Sequence, residues 1–498
     1  MKEVQGMLKK VYETCKNKDF IFLKENGIFH PKTFEVFVED VTDVAQGLLE
    51  HKLGDKTVLI YASNSYEWFV SWLAVIGYVG VALTIDSTWT FFSLNHIVQK
   101  LEIDAIIFDE GNPEIEKLKE VYPKIQYITI KHGIEECKEI GRKENLLKKN
   151  RFDFEKVGKE ETCELKIDCA LNLDMKIIPH TQKGMLANLE GFLKRVPLTE
   201  EDRIYVYLPF HESYTSIYTL LYALYTNAKV YLGEIESLEN DLKIVKPTVF
   251  FGTPFVYKKL LENIDRNKME LKIKRVQKLQ KMGIPIRFHK CFHSFYQLLG
   301  ENIHYAISYG NFLDKSLKTF YKNMGIRIQN MYGNAETSSL ISFEYADQKD
   351  KFSEGKILEG QIVRIDQADE VGYGEIIVKG DNVTKCYYNN IAKTQEAFDL
   401  DGFFHTGDMG YIRENELFLV GKNSRNFVLE NGKMVYPEKI EEILYNTNAF
   451  KTVNVFEKDQ KIKLKGIVKD QENIDKVIQE VNEKLPSDMK IQEYQLKE

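Results

Sequence analysis

The sequence predicts an α/β protein with a large sheet-containing domain and a small C-terminal α+β domain. Three observations carry this. Apolar runs of strand length alternate with stretches of helical period through most of the chain, the pattern of a parallel-type sheet. The 498 residues, 43% apolar and 29% charged, suffice for two or more cores in an ordinary globular composition. Beyond Gly421 a polar loop leads into a helix opened by Pro437 and then into further short strands, a second and smaller run of elements.

Composition also excludes several classes. A net charge of −7 argues against general nucleic-acid binding, which needs a basic footprint. The six cysteines, at 15, 137, 163, 169, 291 and 386, form no CxxC pair and lack nearby histidine spacing, so reduced thiols in a cytoplasmic compartment are expected. The N-terminal twenty residues lack a continuous apolar core, so no signal peptide is expected. Trp68 to Ile85 runs eighteen residues without a charge, but Gly77 and Gly80 split it and Glu67 and Asp86 close it. A buried helix followed by a buried strand is expected there, with no transmembrane segment.

Taken in order, Leu94, Ile97, Val98 and Leu101 repeat at helical spacing before the strand Ala105 to Phe108. Residues 131–167 are polar, with few periodic apolar positions, and read as a surface segment. Met185, Leu189, Phe192, Leu193 and Val196 make the apolar stripe of a helix. Ile204 to Leu208 reads as a strand leading to His211, a lone histidine among tyrosines 205, 207, 214, 218, 222 and 225. Those rings suit either an amphipathic pocket or a core. Residues 247–252 form a strand ahead of a helix. The lysine- and arginine-rich run 263–293 shows no single apolar face and reads as a solvated helix, not a membrane anchor. Two or three strands are expected between Gln361 and Lys379, and another from Glu416 to Val420. Asp408, between Gly407 and Gly410, is expected on a tight turn, its carboxylate free to accept from a diol such as a ribose edge.

The stretch from Asp401 to Leu444, DGFFHTGDMGYIRENELFLVGKNSRNFVLENGKMVYPEKIEEIL, resembles the junction between the large and small domains of the adenylate-forming (AMP-binding) superfamily, and the resemblance runs from about residue 60 to about 491. It implies a large domain of two α/β subdomains plus a distorted β-barrel over residues 1–422, and a mobile small domain over 423–498. It also implies ATP-dependent conversion of a carboxylate to an acyl-AMP, then to a thioester on CoA or on the phosphopantetheine thiol of an acyl carrier protein. The segment NMYGNAET makes Tyr332 the adenine platform, beside Gly310 and Asn311, and Glu336 the magnesium ligand. Asp408 matches the ribose-binding aspartate, Lys422 stands at the arginine that binds ribose and phosphate, and His211 at a residue that closes the acyl pocket. The insertion around 263–293 looks most like the long-chain fatty acyl-CoA synthetase branch, which implies a fatty-acid-like carboxylate.

The departures are specific. Between Asp168 and Lys176, where the family carries a Ser/Thr/Gly-rich phosphate loop, this chain is shorter and has neither glycine nor hydroxyl. Ala335 replaces the phosphate-binding threonine, Tyr309 a glycine beside the adenine, and Lys422 keeps the charge of an arginine without its forked donors. Ser424 and Arg425 fall near the hinge, and Gly432-Lys433 match the loop that meets the thiol. No residue of the last seven matches the catalytic lysine. Impaired chemistry is expected, with a non-catalytic binder of an acyl chain, acyl thioester or partner protein as the alternative.

Overall fold

The computed structural model describes residues 3–148, 150–154, 157–168, 175–262, 264–310, 313–345, 353–370, 372–422, 427–428, 434–435, 437–458, 461–469, 474–485 and 490–497. It has a large N-terminal α/β unit with mixed sheets and a smaller unit built mainly from the C-terminal part of the chain. The first comprises residues 1–347, 358–361 and 380–395, the second 348–357, 362–379 and 396–498.

One sheet of the large unit has six strands in the order Gln126–Thr129, Ala105–Phe108, Lys56–Tyr61, Gly80–Thr84, Thr162–Asp168 and Lys176–Thr181. All neighbours are parallel except the last pair, which is antiparallel. In the same unit Arg203–Val206, Lys229–Leu232, Val249–Gly252, Tyr305–Ser308 and Ile328–Tyr332 also pair in parallel. The period-2 alternation of side chains divides the cores. Val58 and Ile60 of the first sheet join Ile204, Phe251 and Ile307 of the second in the largest core, while Leu59, Ile106 and Leu83 fill one outer core and Tyr205, Phe250 and Ala306 another.

The uncharged stretch resolves as expected into a helix, Tyr66–Ala74, and a strand, Gly80–Thr84. The chain passes Gly77 in one wide π-type turn, Val75–Val79, before reversing at Gly80. Among the described residues no helix is long and apolar enough to cross a membrane.

The surface segment expected at 131–167 is corrected. Residues His132–Leu147 form a helix that packs on Phe34–Glu50, and Thr162–Asp168 is an interior strand with Cys163, Glu164, Leu165 and Lys166 all buried. The helix contact is made by backbone: a Cβ on Gly141 would stand 1.8 Å from the Asp43 carbonyl oxygen, and one on Gly47 1.9 Å from that of Cys137. The buried face of the second helix is Ile134, Cys137, Gly141 and Asn145, half of it glycine and asparagine, so the apolar periodicity is too short to read.

In the smaller unit, Gly374–Gly380, Phe404–Arg413 and Glu416–Lys422 are successive antiparallel neighbours. Phe450–Lys458 and Lys461–Val468 form a hairpin, and Glu493–Lys497 pairs in parallel with the second strand. The helices Pro437–Asn446 and Ile474–Lys484 supply Ile440, Leu444, Ile478 and Val481 to the core of that hairpin.

Candidate functional site

Ile328–Tyr332 is a fully buried strand, and its end turns at Gly333 into the single turn Ala335–Thr337. The Asn334 amide donates to Thr337 Oγ1 at 3.2 Å and the Thr337 amide to the Asn334 carbonyl at 3.1 Å, two bonds that close the turn. The Glu336 backbone carbonyl accepts from the Thr384 amide at 2.7 Å. The buried Glu336 carboxylate accepts from the Tyr387 hydroxyl at 2.8 Å, and Lys176 Nζ lies 4.0 Å from the same oxygen. Lys176 also sits over the Tyr387 ring, 5.3 Å from its centroid. A lysine, a carboxylate and a phenol from three distant segments thus meet on the turn that follows the strand ending in Tyr332, which is 8% exposed.

A buried ionic cluster adjoins this corner. Glu164 receives Trp72 Nε1 at 2.8 Å, and Lys166 Nζ lies 2.9 Å from the same oxygen; its other oxygen faces His180 Nδ1 at 3.4 Å. Burial alone would raise the Glu164 carboxyl, but the Lys166 ammonium and the His180 contact outweigh it and bring it down to about 2. Lys166 also donates to Thr84 Oγ1 at 2.8 Å and to the His211 carbonyl at 2.5 Å. His180 Nε2 donates to the Ala335 carbonyl at 2.7 Å, so the cluster holds both the turn that carries Glu336 and the loop that carries His211. The spacing Glu164-x-Lys166 places both on one face of a strand, which was the available signal for these two residues.

Tyr309, at the family's glycine position, is buried and stacks on Tyr214 with centroids 4.7 Å apart; its hydroxyl meets Thr215 Oγ1 at 3.2 Å. Burial pushes its phenol up. Tyr205, Tyr207, Tyr218 and Tyr222 are core residues, their hydroxyls bonded to Asp241 or to backbone carbonyls. Of the two roles open to these tyrosines, packing is the observed one. The His211 side chain is partly exposed, 3.5 Å from Glu212. Gly310 has φ +90, with open space where a Cβ would stand.

In the smaller unit, the turn expected at Asp408 is corrected. Asp408 lies within the strand Phe404–Arg413, directly opposite Lys422 on Glu416–Lys422. Directly opposed residues share a face, so the two motif residues are cross-strand neighbours. Gly407 at φ +74 and a register shift between Met409 and Gly410 give this strand the glycine pattern of a turn without making one. Glu375 accepts from the Gly407 amide at 2.9 Å and faces His405 Nδ1 at 3.0 Å, bracing the approach to Asp408. Asn311, the loop at 169–174, Ser424, Arg425, Gly432 and Lys433 lie outside the described residues.

Tyr332, Glu336, Gly310 and His211 therefore belong to the large unit, and Asp408 and Lys422 to the smaller. The model of the AMP-binding enzyme family matches residues 13–166 and 174–388. Long-chain-fatty-acid–CoA ligase 6 of Mus musculus is 26% identical over 470 residues, covering 85% of this chain and 67% of that protein. Long-chain-fatty-acid–CoA ligase 5 of Rattus norvegicus is 24% identical over 458 residues, covering 83% and 67%. In fold the chain is similar to the anthranilate CoA ligase AuaEII in complex with anthranoyl-AMP, with a TM-score of 0.80 and 18% identity over 99% of this chain and 93% of that one. It is likewise similar to ATP-bound MatB from Rhodopseudomonas palustris, with a TM-score of 0.80 and 16% identity over 99% and 95%. With most of its length matched by one family model and its fold shared with acid–thiol ligases, this chain belongs to the AMP-binding enzyme family.

Proposed function

We propose that this protein binds ATP and a fatty-acid-like carboxylate and retains, in weakened form, the ligase chemistry of its family. The carboxylate attacks the α-phosphate, acyl-AMP forms and pyrophosphate leaves; a thiol of CoA or of an acyl carrier protein then displaces AMP. One observation carries this: Lys176 and Glu336, the two motif residues at either end of the phosphate region, meet within 4.0 Å in a part of the molecule otherwise rebuilt. A cation beside a carboxylate suits a magnesium-bound polyphosphate, with Glu336 as the oxygen donor to the metal. We assign Tyr332, Gly310 and Asn311 to adenine, Asp408 to ribose, Lys422 to phosphate and His211 to the acyl end. We take residues 1–422 as the nucleotide-holding part and 423–498 as the part that brings the thiol. The long-chain acid class and a cytoplasmic place of action rest on the relatives' names and on cysteine usage. Weakening follows from Ala335 and from the hydroxyl-free segment before Lys176, since each lost donor to a developing charge costs on the order of a hundredfold in rate.

The same losses support a second reading, a non-catalytic binder of an acyl chain, acyl thioester or partner protein, and Tyr309 packed on Tyr214 favours it by filling space that a glycine leaves open. The test is exchange of labelled pyrophosphate into ATP with fatty acids of graded length, alongside calorimetric titration with Mg-ATP and with a non-hydrolysable acyl-adenylate mimic, Asp408→Ala serving as control. Exchange above the control establishes the ligase. Mimic binding that Asp408→Ala removes, without exchange, selects the binder. No heat from either ligand removes the nucleotide role.

A further inference from the structure

The basic run near residue 270 is one 16-residue helix, Arg266–Lys281, and the structure changes what it presents. It rests on the large unit through Ile273 and Val276, which are buried in the core with Phe292, and through the half-buried Met269. On the opposite side Leu271, Arg275, Lys278 and Met282 follow one another at i, i+4, i+7 and i+11. That spacing makes a single row about 16 Å long on the solvent side. Leu271 is 59% exposed and Met282 66%, and Ile284, just past the helix end, is 42% exposed.

Lys274 and Lys281 lie on the same exposed half of the helix, and none of Lys274, Arg275, Lys278 and Lys281 is ion-paired with a described residue. Residues 266–290 hold nine lysines and arginines against one acid, a net +8 in a chain of net −7, so the remainder carries −15. The charge is therefore concentrated on one patch of an otherwise acidic protein. Scattered exposed aliphatics are ordinary, but two of them bracketing unpaired cations in one row is not. Cations alone suit any polyanion; aliphatic side chains between them gain only from a surface that has hydrocarbon beneath its charge.

We infer that the outer face of helix Arg266–Lys281 docks on an anionic lipid surface, with Leu271, Met282 and Ile284 entering the headgroup boundary and Lys274, Arg275 and Lys278 contacting lipid phosphates. This holds whether or not the ligase reading does, because it uses none of the nucleotide residues. It places a protein with no membrane-crossing helix among its described residues against the phase in which long acyl chains reside.

The experiment is co-sedimentation of the full chain with phosphatidylcholine vesicles and with phosphatidylcholine/phosphatidylglycerol vesicles. Two variants accompany it, Lys274→Glu/Arg275→Glu/Lys278→Glu and Leu271→Ser/Met282→Ser, all at exposed positions, with circular dichroism and thermal midpoint checking that each is folded. The parent protein is expected to sediment with the anionic vesicles only. Charge reversal lowers its partition at least about a hundredfold, since each cation near the surface is worth roughly fivefold. The serine variant loses vesicle binding but keeps its salt-sensitive retention on a heparin column. Failure of the parent to bind anionic vesicles overturns the proposal. So does unchanged vesicle binding by the serine variant, which makes the patch a site for an acidic macromolecule instead.

Discussion

Lys176 Nζ stands 4.0 Å from the Glu336 carboxylate across 160 residues of sequence, and the hydroxyl of Tyr387 reaches the same oxygen. The carboxylate is buried, so its donors decide both its orientation and its cost. Tyr387→Phe removes one donor without changing volume. The expected result is a loss of about 1–2 kcal/mol in urea unfolding and weaker magnesium-dependent ATP binding by calorimetry.

Glu164 offers a prediction in pH. Its folded carboxyl lies at about 2 against 4.5 in the unfolded chain, so it contributes stability that is fully present above pH 4.5 and is lost as pH falls toward 2. By linkage this amounts to about 3 kcal/mol. In Glu164→Gln the component of the acid-unfolding slope in that window disappears. At neutral pH the same variant loses about 3–5 kcal/mol, because Lys166 is left charged and uncompensated in the interior. The double variant Glu164→Gln/Lys166→Met recovers much of that loss, and denaturant midpoints measured from pH 2 to 7 read all of these outcomes.

Ser338 and Ser339 both have positive φ, 48 and 66. Ser338 Oγ donates to the Asn382 carbonyl at 2.9 Å, whereas Ser339 Oγ is buried with no hydrogen-bond partner among the described residues. Ser339→Gly removes a left-handed β-carbon and an unsatisfied hydroxyl together. We expect a gain of about 1 kcal/mol and a higher thermal midpoint.

The contact between helices Phe34–Glu50 and His132–Leu147 tests the corrected segment. Gly141→Ala places a Cβ against the Asp43 carbonyl and forces the helices apart, with an expected loss of about 3 kcal/mol or more. Gly133→Ala, on the same helix, meets side-chain atoms first, the Ile128 Cγ2 methyl at 2.8 Å and Thr129 Oγ1 at 3.2 Å, which can give more than a carbonyl at 1.8 Å. Its expected cost is smaller by about half or more. Equal midpoints for the two variants would show that backbone contact does not govern this pair.

How much was legible follows from which physical signal each residue carries. Gly80 and Pro437 mark real boundaries, because a backbone constraint is local and survives any tertiary context. The charged strand Thr162–Asp168 was opaque because hydropathy scores Glu164 and Lys166 singly, whereas the fold buries them as partners. Asp408 was misplaced for the opposite reason: glycines on either side usually mark a turn, and here they serve an irregular strand that brings Asp408 opposite Lys422. Tyr387 and His180 carried no local signal, since their roles come from pairings with Glu336 and Ala335 that cross 51 and 155 residues.

The bond from Lys166 to the His211 carbonyl has a mechanical meaning. The ammonium is buried and is itself anchored by Glu164 and Thr84, so this bond ties the main chain at His211 to a fixed post in the interior. Whatever movement the imidazole makes is a swivel about its own side-chain bonds rather than the swing of a flap. Swivels relax in picoseconds to nanoseconds and flaps in microseconds to milliseconds. An imidazole mounted this way reorients within nanoseconds while the main chain that carries it stays in place.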